Sequence, residues 1–387
     1  MLSSISALFL AGLFAGPAHA VGVNSDFPPW LRGDVVVHYD LDSTTGRLFE
    51  DETAVGQVRH QSHVMTYEAV FTAWHGLAVT VAVPHWVGEN VRFTDARAMA
   101  FDPAVNSGTM VDTSSLGSPD PVTGGGVGGT WLGLRGTPMH QDIFASRGDR
   151  VSWVLDAAYR FRDQTPFWTY GPRDKRGGGP GAGAFRFRTL VSTTHNRSSP
   201  YLVADLTRSS RLETDIVDDS GQTVASGMTI QPASSVALTL GTEINAVEYG
   251  QGARLDIDLR SRFGYRSWQD LPSGTFLPSV LDSSEGVTAT MSETSYLTLG
   301  GGVHWRFIDY LQLDLLGDVG VNTGGRVEHH YPVDVELGAL EWQVQSALRF
   351  RIRDLLIEQI QDAAARPNGA PPPPPAPAPP PPPATGS

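Results

Sequence analysis

Residues 77–83 read Leu77-Ala78-Val79-Thr80-Val81-Ala82-Val83, with a large apolar side chain at every second position. Successive side chains of a strand point to opposite faces, so a period of two sets one face against an apolar medium. The period returns with charges in the alternate places, where Leu255, Ile257, Leu259 and Phe263 interleave with Arg254, Asp256, Asp258, Arg260 and Arg262. Leu311, Leu313, Leu315, Val319 and Val321 interleave with Gln312, Asp314 and Asp318, and Trp342, Val344, Leu348 and Phe350 with Glu341, Gln343, Gln345, Arg349 and Arg351.

A soluble sandwich also alternates, with its apolar side in the core, so strand length and connections must separate the two. The pattern predicts strands at 34–42, 62–74, 77–87, 126–136, 150–162, 183–194, 200–210, 234–248, 253–265, 294–307, 310–322 and 337–352. Most are ten residues or longer, against about five or six in soluble sheets and about nine to eleven in a tilted membrane strand. Short connections at 75–76, 195–199, 249–252 and 308–309, with a longer one at 137–149, alternate with long ones at 43–61, 88–125, 163–182, 211–233, 266–293 and 323–336. Brief turns on one side, long loops on the other and an even strand count predict an all-β, twelve-stranded antiparallel transmembrane β-barrel of a Gram-negative outer membrane, with both termini in the periplasm.

Composition agrees. The 387 residues include no cysteine, which excludes disulfides, thiolate metal sites, iron–sulfur clusters and an acylated cysteine. A formal net charge of -13 argues against nucleic acid as a partner, because phosphate neutralisation needs a basic face. Met1 to Ala20 carries an apolar run, Ala7 to Phe14, followed by Gly16-Pro17-Ala18-His19-Ala20, the small-x-small pattern of a cleaved signal peptide. After Ala20 no apolar run is long enough for a spanning helix, so a membrane role must rest on strands. The chain divides into a signal peptide (1–20), a periplasmic segment (21–33), the barrel (34–353), a short helix (354–366) and a proline-rich tail (367–387).

Phe71, Trp74, Trp86, Trp153, Tyr159, Phe161, Phe263, Tyr265, Trp305, Phe307, Trp342 and Phe350 fall near predicted strand ends, where interfacial girdles are expected. Gln343-x-Gln345-x-x-Leu348-x-Phe350 resembles the C-terminal signal of barrels inserted by the barrel assembly machinery. Leu348 and Phe350 would carry that signal, with the machinery and outer-membrane lipid as partners.

Two further stretches resemble a family. Phe71 to Val87, Phe-x-x-Trp-His-Gly-Leu-Ala-Val-Thr-Val-Ala-Val-Pro-His-Trp-Val, looks like a hairpin common in outer-membrane barrels of the phenol meta-degradation type. Gly126-Val-Gly-Gly-Thr-Trp-Leu-Gly-Leu-Arg135 resembles a strand of the same group, with Gly129 in place of its acidic residue. The resemblance implies a transport barrel for small, hydrophobic solutes. Related fatty-acid transporters carry an Asn-Pro-Ala motif in an N-terminal hatch, whereas Val21 to Gly33 is short and lacks it.

The polar face of each strand places eleven arginines inside: Arg135, Arg160, Arg162, Arg186, Arg188, Arg254, Arg260, Arg262, Arg306, Arg349 and Arg351. Nine carboxylates face them: Glu68, Asp156, Asp205, Glu243, Asp256, Asp258, Asp314, Asp318 and Glu341. Two readings stand. An arginine ladder through Arg254, Arg260 and Arg262 would pass anionic solutes, or the charges pair across a narrow lumen and fill it.

Catalytic signals are sparse. His60-Gln61-Ser62 matches a tripeptide of outer-membrane phospholipase A, another twelve-stranded barrel, but His63-Val64 follow where that enzyme has Asn-Gly, and Trp74 stands where it supplies an asparagine. The chain is therefore read as a non-enzyme without cofactor. His329, His330 and Asp334 form no expected metal site, since neighbours on a strand face opposite ways. Gly124-Gly125-Gly126 and Gly177-Gly178-Gly179 read as flexible loop tips, and Arg173, Lys175 and Arg176 as a solvated basic loop.

Asp354 to Arg366 reads as a helix capped by Asp354 and stopped by Pro367. Pro371 to Pro383 is proline broken only by Ala376 and Ala378, a polyproline II rod of roughly 40 Å. That rod motivates a competing expectation, a non-conducting anchor whose tail binds a periplasmic or inner-membrane protein.

Overall fold

The structure, a computed structural model, describes residues 33–352 apart from 51–52, 75, 95–98, 103–106, 111–121, 140–149, 163–180, 218–222, 250–252, 273–287, 309, 324 and 329–332. The signal peptide, the helix at 354–366, the proline-rich tail, His329, His330 and the segment from Arg173 to Gly179 lie outside the described residues.

Twelve antiparallel strands follow one another around a ring: β1 (Gly33–Glu50), β2 (Thr53–Trp74), β3 (Leu77–Thr94), β4 (Trp131–Met139), β5 (Arg150–Arg160), β6 (Ala184–Thr194), β7 (Ser198–Ser209), β8 (Ser235–Glu248), β9 (Arg254–Arg266), β10 (Thr294–Ile308), β11 (Leu311–Asn322) and β12 (Val333–Ile352). β12 pairs with β1 over the full length of both, from Gly33 opposite Ile352 to Glu50 opposite Val333, and this seam closes the barrel. Closure satisfies the backbone of every strand without leaving an edge.

Exposure alternates as the sequence pattern requires. Val79, Val81, Leu132, Leu134, Leu240, Leu259, Leu299 and Val319 are exposed on the outside, while Ala78, Thr80, Ala82, Asp258, Thr298 and Leu316 are buried inside. An apolar exterior of this extent around a closed ring is the lipid-facing band of an outer-membrane barrel. Among the described residues no helix is long and apolar enough to cross a membrane, and the crossing is made by strands.

The wall is uneven in height. β1, β2, β3 and β12 run to 18, 22, 18 and 20 residues, whereas β4, β5 and β6 have 9, 11 and 11. The expected long loop at 43–61 is therefore corrected: Glu50 pairs with Thr53, and the hairpin rises as a sheet. Its upper half lacks a strict period of two in the sequence, where Thr44-Thr45-Gly46-Arg47 and Glu50-Asp51-Glu52 interrupt the apolar positions. Other expected loops also hold strands. Val122–Val127 pairs with upper β3, so Gly124 and Gly126 belong to a strand rather than a loop tip, and the predicted strand 126–136 is interrupted at Gly128 to Thr130. Leu212–Val217 and Thr223–Ile230 form a hairpin, and Gly325–Glu328, Thr288–Met291 and Gln269–Pro272 continue the sheet outward from β12. Leu212 and Ile230 pack with Ala182 in a small core of their own.

Trp86 departs from the expected girdle. It is only 4% exposed and turns inward, onto the space left by Gly128, where an added Cβ would collide with its ring.

Candidate functional site

The inward faces of the strands bring the charged residues of the sequence pattern into one interior network. On one side, Arg135 of β4 donates from Nη2 to Asp156 Oδ2 of β5 at 2.9 Å and to Glu68 Oε1 of β2 at 3.2 Å. Glu68 Oε2 lies 3.2 Å from His38 Nε2 of β1. Arg186 reaches Asp156 at 4.0 Å, and Arg188 of β6 donates from Nε to Asp205 Oδ2 of β7 at 2.8 Å.

On the other side the pairs leap over intervening strands. Tyr201 of β7 passes above β8 to donate to Asp258 Oδ1 of β9 at 2.8 Å. Arg260 of β9 passes above β10 to Asp318 of β11, from Nε to Oδ1 at 2.9 Å and through a second bond from Nη2 to Oδ2, and also reaches Gln345 Oε1 of β12 at 3.4 Å. These crossings need clearance at the strand beneath. Gly241 supplies it under Tyr201 and Gly300 under Asp318, since a Cβ at either would overlap the crossing side chain. The glycines are thus set by close approach rather than by turn geometry.

A third group centres on His304 of β10. Its Nδ1 is 2.8 Å from Asp314 Oδ1 and its Nε2 is 3.7 Å from Glu243 Oε1. Gln312 Nε2 donates to Asp314 at 2.6 Å and accepts in turn at Oε1 from Arg351 at 3.1 Å. Arg254 Nε meets Asp256 at 2.6 Å, Arg266 meets Glu341 at 3.9 Å, and Arg349 meets Asp34 at 4.0 Å.

Aromatic rings back four of the arginines, among them Arg186 and Arg266, which also reach carboxylates. The Arg160 and Arg186 guanidiniums stand 5.3 and 4.9 Å from the Trp131 ring centroid, and those of Arg262 and Arg266 stand 5.6 and 4.6 Å from that of Tyr296. Cation–π contacts add to the stabilisation of such partly desolvated charges. Arg160 also donates from Nη2 to the carbonyl of Ala182 at 3.1 Å.

Burial decides what this interior allows. Asp314 is 0% exposed, Asp156 and Asp258 2%, and His304 3%, although all four point into the lumen. At these levels the four groups are covered by neighbouring side chains of the charged network rather than open to water, whereas Arg135 and Arg254 keep 24% and 26% of their side chains exposed. The ladder reading is corrected accordingly: Arg254 and Arg260 are ion-paired and Arg262 is stacked on an aromatic ring.

Arg160, Arg186, Arg188, Arg254, Asp256, Asp258, Arg260, Arg262, Asp314, Asp318, Glu341 and Arg349 all lie on inward faces. Arg162 does not. It follows the end of β5, exposed, and donates to the carbonyl of Glu213 at 2.8 Å. Leu348 and Phe350 face outward beside the closing seam, opposite Val37 and Val35. Ser62 is buried on the inward face, and the His60 side chain lies outside the described residues. Among the described residues no cluster of histidine and carboxylate groups is arranged to hold a metal ion.

Several interior residues were passed over in the sequence: Asp34, His38, Asp40 and Asp42 on β1, together with Tyr201, Arg266 and His304. The β1 set was legible, since Asp34, His38, Asp40 and Asp42 share one parity, but the run Val35-Val36-Val37 hides the period.

No protein-family model and no curated protein sequence matches the chain. Solved structures similar to it include an outer membrane channel from Pseudomonas putida F1, with 14% identity and a TM-score of 0.43 over 85% of this chain and 99% of that one. A Pseudomonas aeruginosa FadL homologue shares 11% identity with a TM-score of 0.41, covering 90% of this chain and 98% of its own. The outer membrane protease OmpT from Escherichia coli shares 11% identity with a TM-score of 0.30, covering 84% and 98%.

Proposed function

We propose that the protein is an outer-membrane channel for small, uncharged solutes of hydrophobic character, with low conductance to ions. The observation that carries this reading is the buried, mutually paired interior. Opposite charges that neutralise one another over adjacent and next-nearest strands leave no continuous fixed charge to attract an ion, and moving a hydrated ion past them requires desolvation. An uncharged solute meets neither barrier. The motif resemblance at Phe71 to Val87 supports the same class of solute. The anchor alternative rests on residues 367–387, and nothing among the described residues favours it.

The test joins two measurements on protein inserted in lipid. In planar bilayers the expected result is small conductance with weak ion preference, and in proteoliposomes faster entry of an uncharged aromatic such as phenol than in protein-free vesicles. Large, strongly anion-selective currents, or no acceleration of phenol entry with insertion demonstrated, would overturn the proposal.

A further inference from the structure

His304 stands near the end of the barrel that carries Gly33 and Ile352, four residues before the close of β10. It is 3% exposed and lies between carboxylates of two other strands, Asp314 of β11 at 2.8 Å from Nδ1 and Glu243 of β8 at 3.7 Å from Nε2. The two distances differ in kind. A carboxylate only accepts, so Nδ1 carries a proton and donates it to the bond with Asp314. At 3.7 Å, Nε2 is beyond hydrogen-bond reach of Glu243, and it has no other partner although it is buried.

Neutral and charged rings meet this setting differently. In the neutral imidazole with its proton on Nδ1, Nε2 turns a lone pair toward the Glu243 carboxylate, and the two repel. In the imidazolium both nitrogens donate, and a shift of about 1 Å brings Glu243 into a charge-assisted bond.

The other charged groups around the ring are engaged elsewhere. β9 passes between β8 and β10, where Asp256, the Cα partner of His304, meets Arg254 at 2.6 Å. Asp258, the Cα partner of Glu243, accepts from Tyr201 at 2.8 Å and has Arg260 at 3.9 Å. Arg306 follows two residues on along β10, and on β12 Arg349 stands 4.0 Å from Asp34. Asp314 also accepts from Gln312 at 2.6 Å, and Gln312 accepts from Arg351 at 3.1 Å. A bond from Nε2 to Glu243 therefore completes a chain from β8 through His304, Asp314 and Gln312 to Arg351 on β12, over five of the twelve strands.

We propose that His304 is a proton-operated clasp in the lumen. With the ring protonated, the chain closes from β8 to β12 and tightens that end of the barrel; with the ring neutral, the Glu243 arm is released. Its consequence for transport, slower passage in acid than in mildly alkaline solution, rests on the channel reading above.

The full chain is inserted in lipid vesicles and phenol entry is followed at about pH 5 and about pH 8, the range over which a histidine changes charge. Phenol itself stays uncharged there, so any change belongs to the protein. Entry should be slower in acid by about tenfold, the worth of one charge-assisted hydrogen bond as a ratio of closed to open states. His304→Gln and Glu243→Gln should each remove most of that difference. Heat-dependent gel mobility confirms that each variant is folded, and Glu243→Gln decides alone if His304→Gln does not fold. In parallel, protein with isotope-labelled histidine rings is read by solid-state NMR. Both ring nitrogens of His304 should be protonated in acid, and Glu243→Gln should shift the Nε2 signal more than the Nδ1 signal. An Nε2 signal indifferent to Glu243→Gln, or a pH dependence of entry kept in full by the folded variants, would overturn the proposal. Phenol entry no faster than in protein-free vesicles at either pH, with the ring signals as expected, would refute the channel reading and still uphold the clasp.

Discussion

Replacing Asp318 by alanine tests whether the strand-leaping pairs hold the interior together. Asp318 and Arg260 are each 10% exposed at the side chain and joined by two bonds, so removing the carboxylate strands a buried guanidinium. Breaking a buried pair from one side costs about 3–5 kcal/mol, because the remaining charge is desolvated without compensation. Arg260 retains Asp258 at 3.9 Å and Gln345 at 3.4 Å, which places the expected loss near the lower end, about 3 kcal/mol. The measurement is a denaturant titration of the barrel in lipid vesicles, following the folded fraction by gel mobility. The midpoint should fall while the slope is unchanged, the signature of lost stability rather than altered compactness.

A companion variant makes the reasoning refutable. Leucine is nearly isosteric with aspartate and methionine fills much of the arginine volume, so Asp318→Leu with Arg260→Met removes both charges together. Buried pairs replaced by apolar groups of similar size are often neutral in stability, and most of the loss should return. If Asp318→Ala costs no more than the same substitution at exposed Arg197, or if the apolar pair is as unstable as the single variant, the interior pairs are not structural.

Three more outcomes follow from the same geometry. Leu299→Arg, at an outward position 59% exposed to the surroundings of the barrel, should cost about 2–4 kcal/mol in lipid if it lies near the midplane, read by the same titration. Gly241→Val should displace Tyr201 and sever its bond to Asp258, costing about 1–3 kcal/mol, whereas Gly136→Val, whose new Cβ would find nothing closer than 3.8 Å, should be nearly neutral. Deleting 367–387 should leave insertion intact, because Leu348 and Phe350 remain; loss of a co-purifying periplasmic or inner-membrane protein would support the tail as a ligand, and an unchanged set would reduce it to a spacer.

The part of the fold that was legible in the sequence is the part lying between two different solvents. Where lipid meets one face and paired charge the other, each strand must alternate, and Leu255 to Phe263 or Leu311 to Val321 can be read directly. Above the apolar edge that contrast is gone. Residues 43–61 lack the strict period of two, with Leu48-Phe49 adjacent and Glu50-Asp51-Glu52 following, so a paired hairpin was indistinguishable from a loop, and the short rim strands Leu212–Val217 and Thr223–Ile230 carry too few residues to show a period.

Within the site, membership was legible and partnership was not. Parity alone places Arg260 and Asp318 inside, but their meeting depends on strand order and on the strand between them being bare at the crossing, across 58 positions of sequence. Gly300-Gly301-Gly302 holds that missing information in a form that local rules misread. A triple glycine in a strand suggests a weakness or a bulge, whereas here Gly300 leaves room for Asp318 to lie over β10 and take Arg260 from β9. The interior is therefore specified jointly by its charges and by the absence of side chains between them, and only the first of these announces itself one residue at a time.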